Sequence, residues 1–132
     1  MREIKFRAWH NERKVMLPVS SWHFFDNTIW IESGESDKYG KLYRPYKADT
    51  EVIVMQYTGE KTQDGEEVYE GDIVETSKGL QGTVEYADGC FYLSLFGNDE
   101  EFNQCMCLKD WIIKRKLGNI YENPELKDAE ES

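Results

Sequence analysis

Turns come too often in this chain for long helices to fit between them. Thr58-Gly59, Asp64-Gly65, Glu70-Gly71-Asp72, Lys78-Gly79, Asp88-Gly89 and Gly97-Asn98-Asp99 punctuate the second half. Glycine supplies backbone that can turn, and Asp or Asn bonds nearby amide N–H groups. At Asp64-Gly65 the tight-turn geometry calls for positive φ at both central residues. No stretch of ten or more residues has helical spacing, and there is no internal repeat. Short segments recur at roughly 8–12 residues, which predicts a small all-β barrel or sandwich.

The segments between the turns alternate as strands do. Ile4, Phe6 and Ala8 point one way and Lys5, Arg7 and Trp9 the other, a half-buried strand. His10 to Lys14 breaks it and leads into Val15-Met16-Leu17, which Pro18 ends or pushes to an edge. Thr28 to Glu32 alternates again, whereas Glu32 to Arg44 is poor in aliphatic residues and predicts a mobile surface loop. Further strands are expected at Val52 to Tyr57, Ile73-Val74, Gly82 to Tyr86, Cys90 to Phe96 and Phe102 to Leu108. Trp111 to Leu117 fits a strand or a short helix. Asn123-Pro124 caps a short helical turn, and Lys127 to Ser132 reads as a frayed tail.

Composition decides whether such a chain folds at all. Leu, Ile, Val and Phe make up 29 of the 132 residues, about 22%, just above the ~20% below which a highly charged chain stays disordered. Eight Tyr, six Phe and four Trp tip the balance toward a compact aromatic core. The net charge of −10 is unevenly spread. Residues 1–50 carry 9 basic and 7 acidic groups, residues 51–132 carry 7 and 19, giving +2 and −12. Such an acidic balance disfavours broad binding to nucleic acid or anionic lipid. No apolar run approaches the ~18 residues of a membrane span. The charged N-terminus lacks a signal peptide's apolar region, and three cysteines do not make a disulfide framework, so a cytoplasmic, reducing location is expected.

Few residue groupings carry chemistry. Glu66, Glu67, Glu70, Asp72 and Glu75 crowd one short stretch, yet they lack calcium-loop spacing and a neighbouring His or Lys partner, so solvated turns are expected rather than catalysis. Cys105 and Cys107, with Cys90 and His10 or His23, do not match paired zinc-ligand spacing and read as structural thiols. No nucleophile elbow or phosphate-cradling glycine loop occurs. Catalytic residues, metal ligands and cofactors are therefore all expected to be none. Arg2, Lys5 and Arg7 with Trp9 form a basic aromatic edge that could pair with single-stranded nucleic acid, but docking against acidic protein surface is favoured.

Four stretches together resemble the YopX family of phage and prophage proteins. They are Met1-Arg2-Glu3-Ile4-Lys5-Phe6-Arg7-Ala8-Trp9; Met55-Gln56-Tyr57-Thr58-Gly59 with Asp64-Gly65; Tyr69-Glu70-Gly71-Asp72-Ile73-Val74; and Gly118-Asn119-Ile120-Tyr121-Glu122-Asn123-Pro124-Glu125-Leu126. The resemblance implies a phage-derived protein of the bacterial cytoplasm with a mainly β fold. That fold is a small SH3-like β-barrel with an N-terminal β-hairpin extension and a short C-terminal helical turn. The domain expected is 1–127, with strands and loop in 1–48, the barrel in 49–127, and 128–132 as tail. The function expected is non-enzymatic: a protein-binding or self-associating module, a homo-oligomer of unstated number. Alternatives are an acidic decoy of a host DNA-binding protein and a nucleic-acid-binding SH3-like module. The residues expected to carry interaction are Arg2, Lys5, Arg7, Trp9, Glu66, Glu67, Glu70 and Asp72.

Overall fold

The computed structural model describes residues 3–87, 89–96 and 107–126. The chain is mainly β, with one sheet curled into a half barrel. It divides into two compact units, one of Lys5–Gln56 and one of Met1–Ile4 with Tyr57–Ser132.

The first unit holds two sheets. β1 (Phe6–His10) lies between β2 (Val15–Pro18) and the first half of β6 (Val52–Lys61), antiparallel to both. The expected hairpin is there, and Pro18 sits on the outer strand, where its missing N–H costs nothing. The half-buried strand is not: Arg7, Ala8, Trp9 and His10 are all buried. Side chains of both faces of β1 are buried, so its alternation of polar and apolar residues does not separate inside from outside. The second sheet has the order β3 (Ser21–His23), β4 (Thr28–Asp37), β5 (Gly40–Lys47). Ile29 and Ile31 project from it onto Ala8, Ala48 and Val52, with Leu17, Trp22 and Tyr46 around them.

The loop expected over Glu32 to Arg44 is instead the long β4–β5 hairpin, turning at Asp37–Gly40. Gly40 takes a φ of 123°, a conformation side chains rarely adopt. Most of its residues are exposed, so a strand pair with no buried face leaves no hydrophobic period in the sequence.

In the second unit the rest of β6 pairs with β7 (Glu67–Tyr69). The expected stop at Thr58-Gly59 is a register shift within a strand that continues to Lys61. A four-stranded sheet follows in the order β10 (Cys90–Leu95), β9 (Gln81–Ala87), β8 (Asp72–Thr76), β11 (Ile113–Asn119). The 113–119 segment is thus a strand. The turn at Asp64-Gly65 forms with Gly65 alone at positive φ (91°), not both residues, because Thr62 closes it by hydrogen bonds from Gly65 N and Glu66 N. Phe91, Leu93 and Leu95 share the buried face with Val68, Val74, Val84, Leu108 and Ile113. A 3-10 turn covers Leu108–Asp110, and residues 124–126 make the expected helical turn after Asn123.

The cysteine reading is corrected. Cys90 pairs with Cys107 as a disulfide, their Cα atoms 6.3 Å apart across 17 positions. Such pairing depends on how the chain returns to β10, which residue spacing does not encode. Arg2, Cys105, Asp88, the Gly97-Asn98-Asp99 turn, most of the Phe102 to Leu108 strand and the tail from Lys127 lie outside the described residues. No helix among the described residues is long and apolar enough to cross a membrane.

Candidate functional site: the outer face of the three-stranded sheet

The acidic stretch is part of the frame. Only Glu66 of the four carboxylates expected to interact is exposed; Glu67 and Glu70 are half-buried, and Asp72 is fully buried. Asp72 opens β8, and its Oδ2 accepts a hydrogen bond from Tyr69 N at 2.7 Å. Lys116 of β11 brings Nζ to 3.4 Å from the same oxygen and donates to Glu67 O at 3.0 Å. One carboxylate thereby fixes the β7–β8 turn and ties it to β11. Asn119, at the end of β11, accepts from Tyr121 N and Glu122 N through Oδ1, and Asn123 Oδ1 accepts from Asn119 N. The two motifs Tyr69-Glu70-Gly71-Asp72 and Gly118-Asn119 to Asn123 therefore build corners.

Glu75 is a milder brace. Its carboxyl is held below its ordinary 4.5, first by the hydrogen bond from Gln81 Nε2 at 3.1 Å and then by Arg115 Nε at 3.0 Å. Since the folded chain lowers this pKa relative to the unfolded chain, its contribution is complete above pH 4.5 and is lost as pH falls through the folded value. A Glu75→Gln variant should have a lower urea midpoint than the wild type at neutral pH and converge with it toward acid. The effect is small, because the Arg115 partner stands in solvent.

The basic aromatic edge is inward-facing. Arg7 is 9% and Trp9 6% exposed, Arg7 Nη2 lies 3.7 Å from Met55 Sδ, and Lys5 is half-buried. The structure does not gather Lys5, Arg7 and Trp9 on an open surface.

A different set of side chains is open. The register Ser21↔Trp30↔Pro45 and His23↔Thr28↔Lys47, with Glu32↔Tyr43, puts these residues on the face of β3–β4–β5 opposite Ile29 and Ile31. An open cleft of about 540 Å³ lies there, lined by Ser21, His23, Trp30, Lys41, Leu42 and Tyr43. The His23 and Trp30 rings are 5.9 Å apart. Trp30 Nε1 is buried and has no hydrogen-bond partner among the described residues, and Lys41 Nζ is 3.5 Å from Glu32. Two turns border this sheet. The β3–β4 turn holds Phe24 and Phe25, 75% and 103% exposed, and the β4–β5 turn holds Tyr39 at 85%. Asn27, at φ 56°, closes the first turn and accepts from Trp22 Nε1 at 3.0 Å.

Chemically this face offers large rings with few rotatable bonds, two hydroxyls and a lysine. That mixture suits contact with another protein. The sequence carried one signal of it: the doublet Phe24-Phe25 precedes Asp26-Asn27, and rings inside a turn cannot both reach a core.

Residues 5–127 match the family described as YopX protein. Among solved structures, the chain is similar to the protein EF1440 from Enterococcus faecalis, with 27% identity and a TM-score of 0.59. That similarity covers 96% of this chain and 99% of the other. Comparison with curated proteins gives no match.

Proposed function

We propose that this chain, which belongs to the YopX protein family, is a non-catalytic module that binds protein through the outer face of β3–β4–β5. The observation that carries this reading is the open cleft where the exposed Tyr43 stands beside Trp30 and His23, with Phe25 fully exposed in the turn at the β3–β4 end of the same sheet. Exposed aromatic rings on a sheet face are a common mark of a site that a partner covers.

The partner is a second copy of the chain. Lys5–Gln56 carries 8 basic and 7 acidic groups, a net of +1, while Met1–Ile4 with Tyr57–Ser132 carries 8 and 19, a net of −11, together the −10 of the whole. Two copies repel through their acidic units, and the near-neutral unit is where they meet at least cost. The finer setting follows the family resemblance: an SH3-like barrel, a phage or prophage origin, a place in the bacterial cytoplasm, and no cofactor. The antiparallel order β10-β9-β8-β11 with short turns supports the barrel reading.

Light scattering across the micromolar range tests this. The wild type should rise above its 15.5 kDa monomer mass with concentration. Phe25→Ser and Tyr43→Ser should each weaken association by about tenfold or more, as aromatic hot-spot residues do. A monomer at every concentration overturns self-association. A second reading is favoured by the −11 unit alone: its carboxylates stand in for a phosphate backbone and occupy a basic DNA-binding protein of the host. Duplex DNA competing for such a protein at low salt would support it, and indifference to DNA would remove it.

A further inference from the structure

We propose that Cys90 and Cys107 are a reversible oxidation site, a clip that a low-molecular-weight disulfide closes and a thiol reductant opens. Its state sets how firmly residues 107–111 are held on β10. This inference is independent of the binding surface, since both cysteines lie in the other compact unit.

Placement makes the pair suited to exchange. Cys90 starts β10 and Cys107 precedes the 3-10 turn at Leu108–Asp110. Their Cα separation of 6.3 Å lies within the ~4.4–6.8 Å that a disulfide spans without moving backbone. Both are half-buried, so small reagents reach them. The returning chain meets β10 at the Tyr92–Cys107 bridge, and the next residue, Leu108, is 1% exposed in the core. Asp110 N then bonds back to Cys107 O at 3.0 Å and Trp111 N to Leu108 O at 3.0 Å. The bond thus acts where the chain re-enters the core.

The chemistry balances without a metal or a redox cofactor. One cysteine thiolate attacks a sulfur of the small disulfide and expels its first thiolate, leaving a mixed disulfide. The second cysteine thiolate attacks the protein sulfur of that intermediate and expels the second. Two protein thiols give up two electrons and two protons, and one small disulfide becomes two thiols. On the loop-entropy model, opening a loop of this length raises local unfolding by up to about a hundredfold.

The test uses the full chain treated with oxidised glutathione or dithiothreitol. Oxidation should leave one alkylatable thiol, at Cys105, and a peptide linking Cys90 to Cys107 under non-reducing digestion. Reduction should speed amide exchange over residues 107–111 at least about tenfold while β8 and β9 stay protected, and reoxidation should restore it. Cys105→Ser should behave as the wild type. Cys107→Ser should exchange like the reduced wild type in either reagent, and if it fails to fold, reduction of the wild type gives the same reading. Three alkylatable thiols after oxidation, a bond to Cys105 instead of Cys107, or equal exchange in both states would overturn the proposal.

Discussion

An Asp72→Ala variant is expected to lose about 3 kcal/mol of unfolding free energy and roughly 10 °C in Tm. The side chain is fully buried and replaces water for two groups: Tyr69 N–H at 2.7 Å and the Lys116 ammonium at 3.4 Å. Alanine leaves a partly buried cation without its counter-charge and an amide without its acceptor. The cost of stranding such groups exceeds what the intact pair contributes. Adding Lys116→Met to Asp72→Ala should therefore recover part of the loss, because the stranded charge goes too. Glu66→Ala, on an exposed side chain in the same acidic stretch, should shift stability by less than about 0.5 kcal/mol. Urea melts of the wild type and these three variants decide whether the stretch is a frame or a surface: equal losses from Asp72→Ala and Glu66→Ala would sink the distinction.

Gly82→Ala should cost a comparable ~3 kcal/mol, the upper part of the range for forcing atoms into a packed core. Gly82 lies buried in β9 opposite Leu95. A Cβ added there would run into the Ser94 carbonyl oxygen and come within 2.9 Å of Ser94 C and 3.0 Å of Leu95 Cα. All three are backbone atoms, so the only relief is to open the β9–β10 pairing. Gly65→Ala makes the contrast. Its Cβ would meet nothing, but φ is 91°, so the cost is conformational, about 1 kcal/mol. Exchange protection across β9 and β10 should fall in Gly82→Ala and stay intact in Gly65→Ala. Unchanged protection in Gly82→Ala would contradict the packing account.

Much of the frame was legible because turn chemistry is local. Gly65, Gly71, Gly79 and Gly89 all take positive φ at positions their sequence neighbours marked as turns. The buried alternation of Phe91, Leu93 and Leu95 was likewise legible, since one face of β10 is core. What escaped depends on distant partners. Nothing in residues 5–10 says that the face carrying Arg7 and Trp9 is covered as well as the face carrying Ala8. The β4–β5 hairpin escaped because a strand pair exposed to water needs no hydrophobic period. Its own pairing is unambiguous, from Thr28↔Lys47 to Asp37↔Gly40. Gly82 looked like the start of a strand, and only the approach of Ser94 explains its missing side chain. The open face of β3–β4–β5 went unread for a related reason. His23, Trp30 and Tyr43 stand on three successive strands and come together through strand register, which rests on the hairpin the sequence did not show.

The central claim is a division of labour: the buried Asp72 carboxylate holds the fold, and the open rings of β3–β4–β5 make the contact. Measuring mass by light scattering and Tm on the same preparations of Phe25→Ser and Asp72→Asn tests it most directly. The account predicts that Phe25→Ser stays near the 15.5 kDa monomer with the Tm that the wild type shows when diluted to monomer, while Asp72→Asn melts lower yet still associates like the wild type. The reverse pattern, association lost with Asp72→Asn and kept with Phe25→Ser, would contradict it.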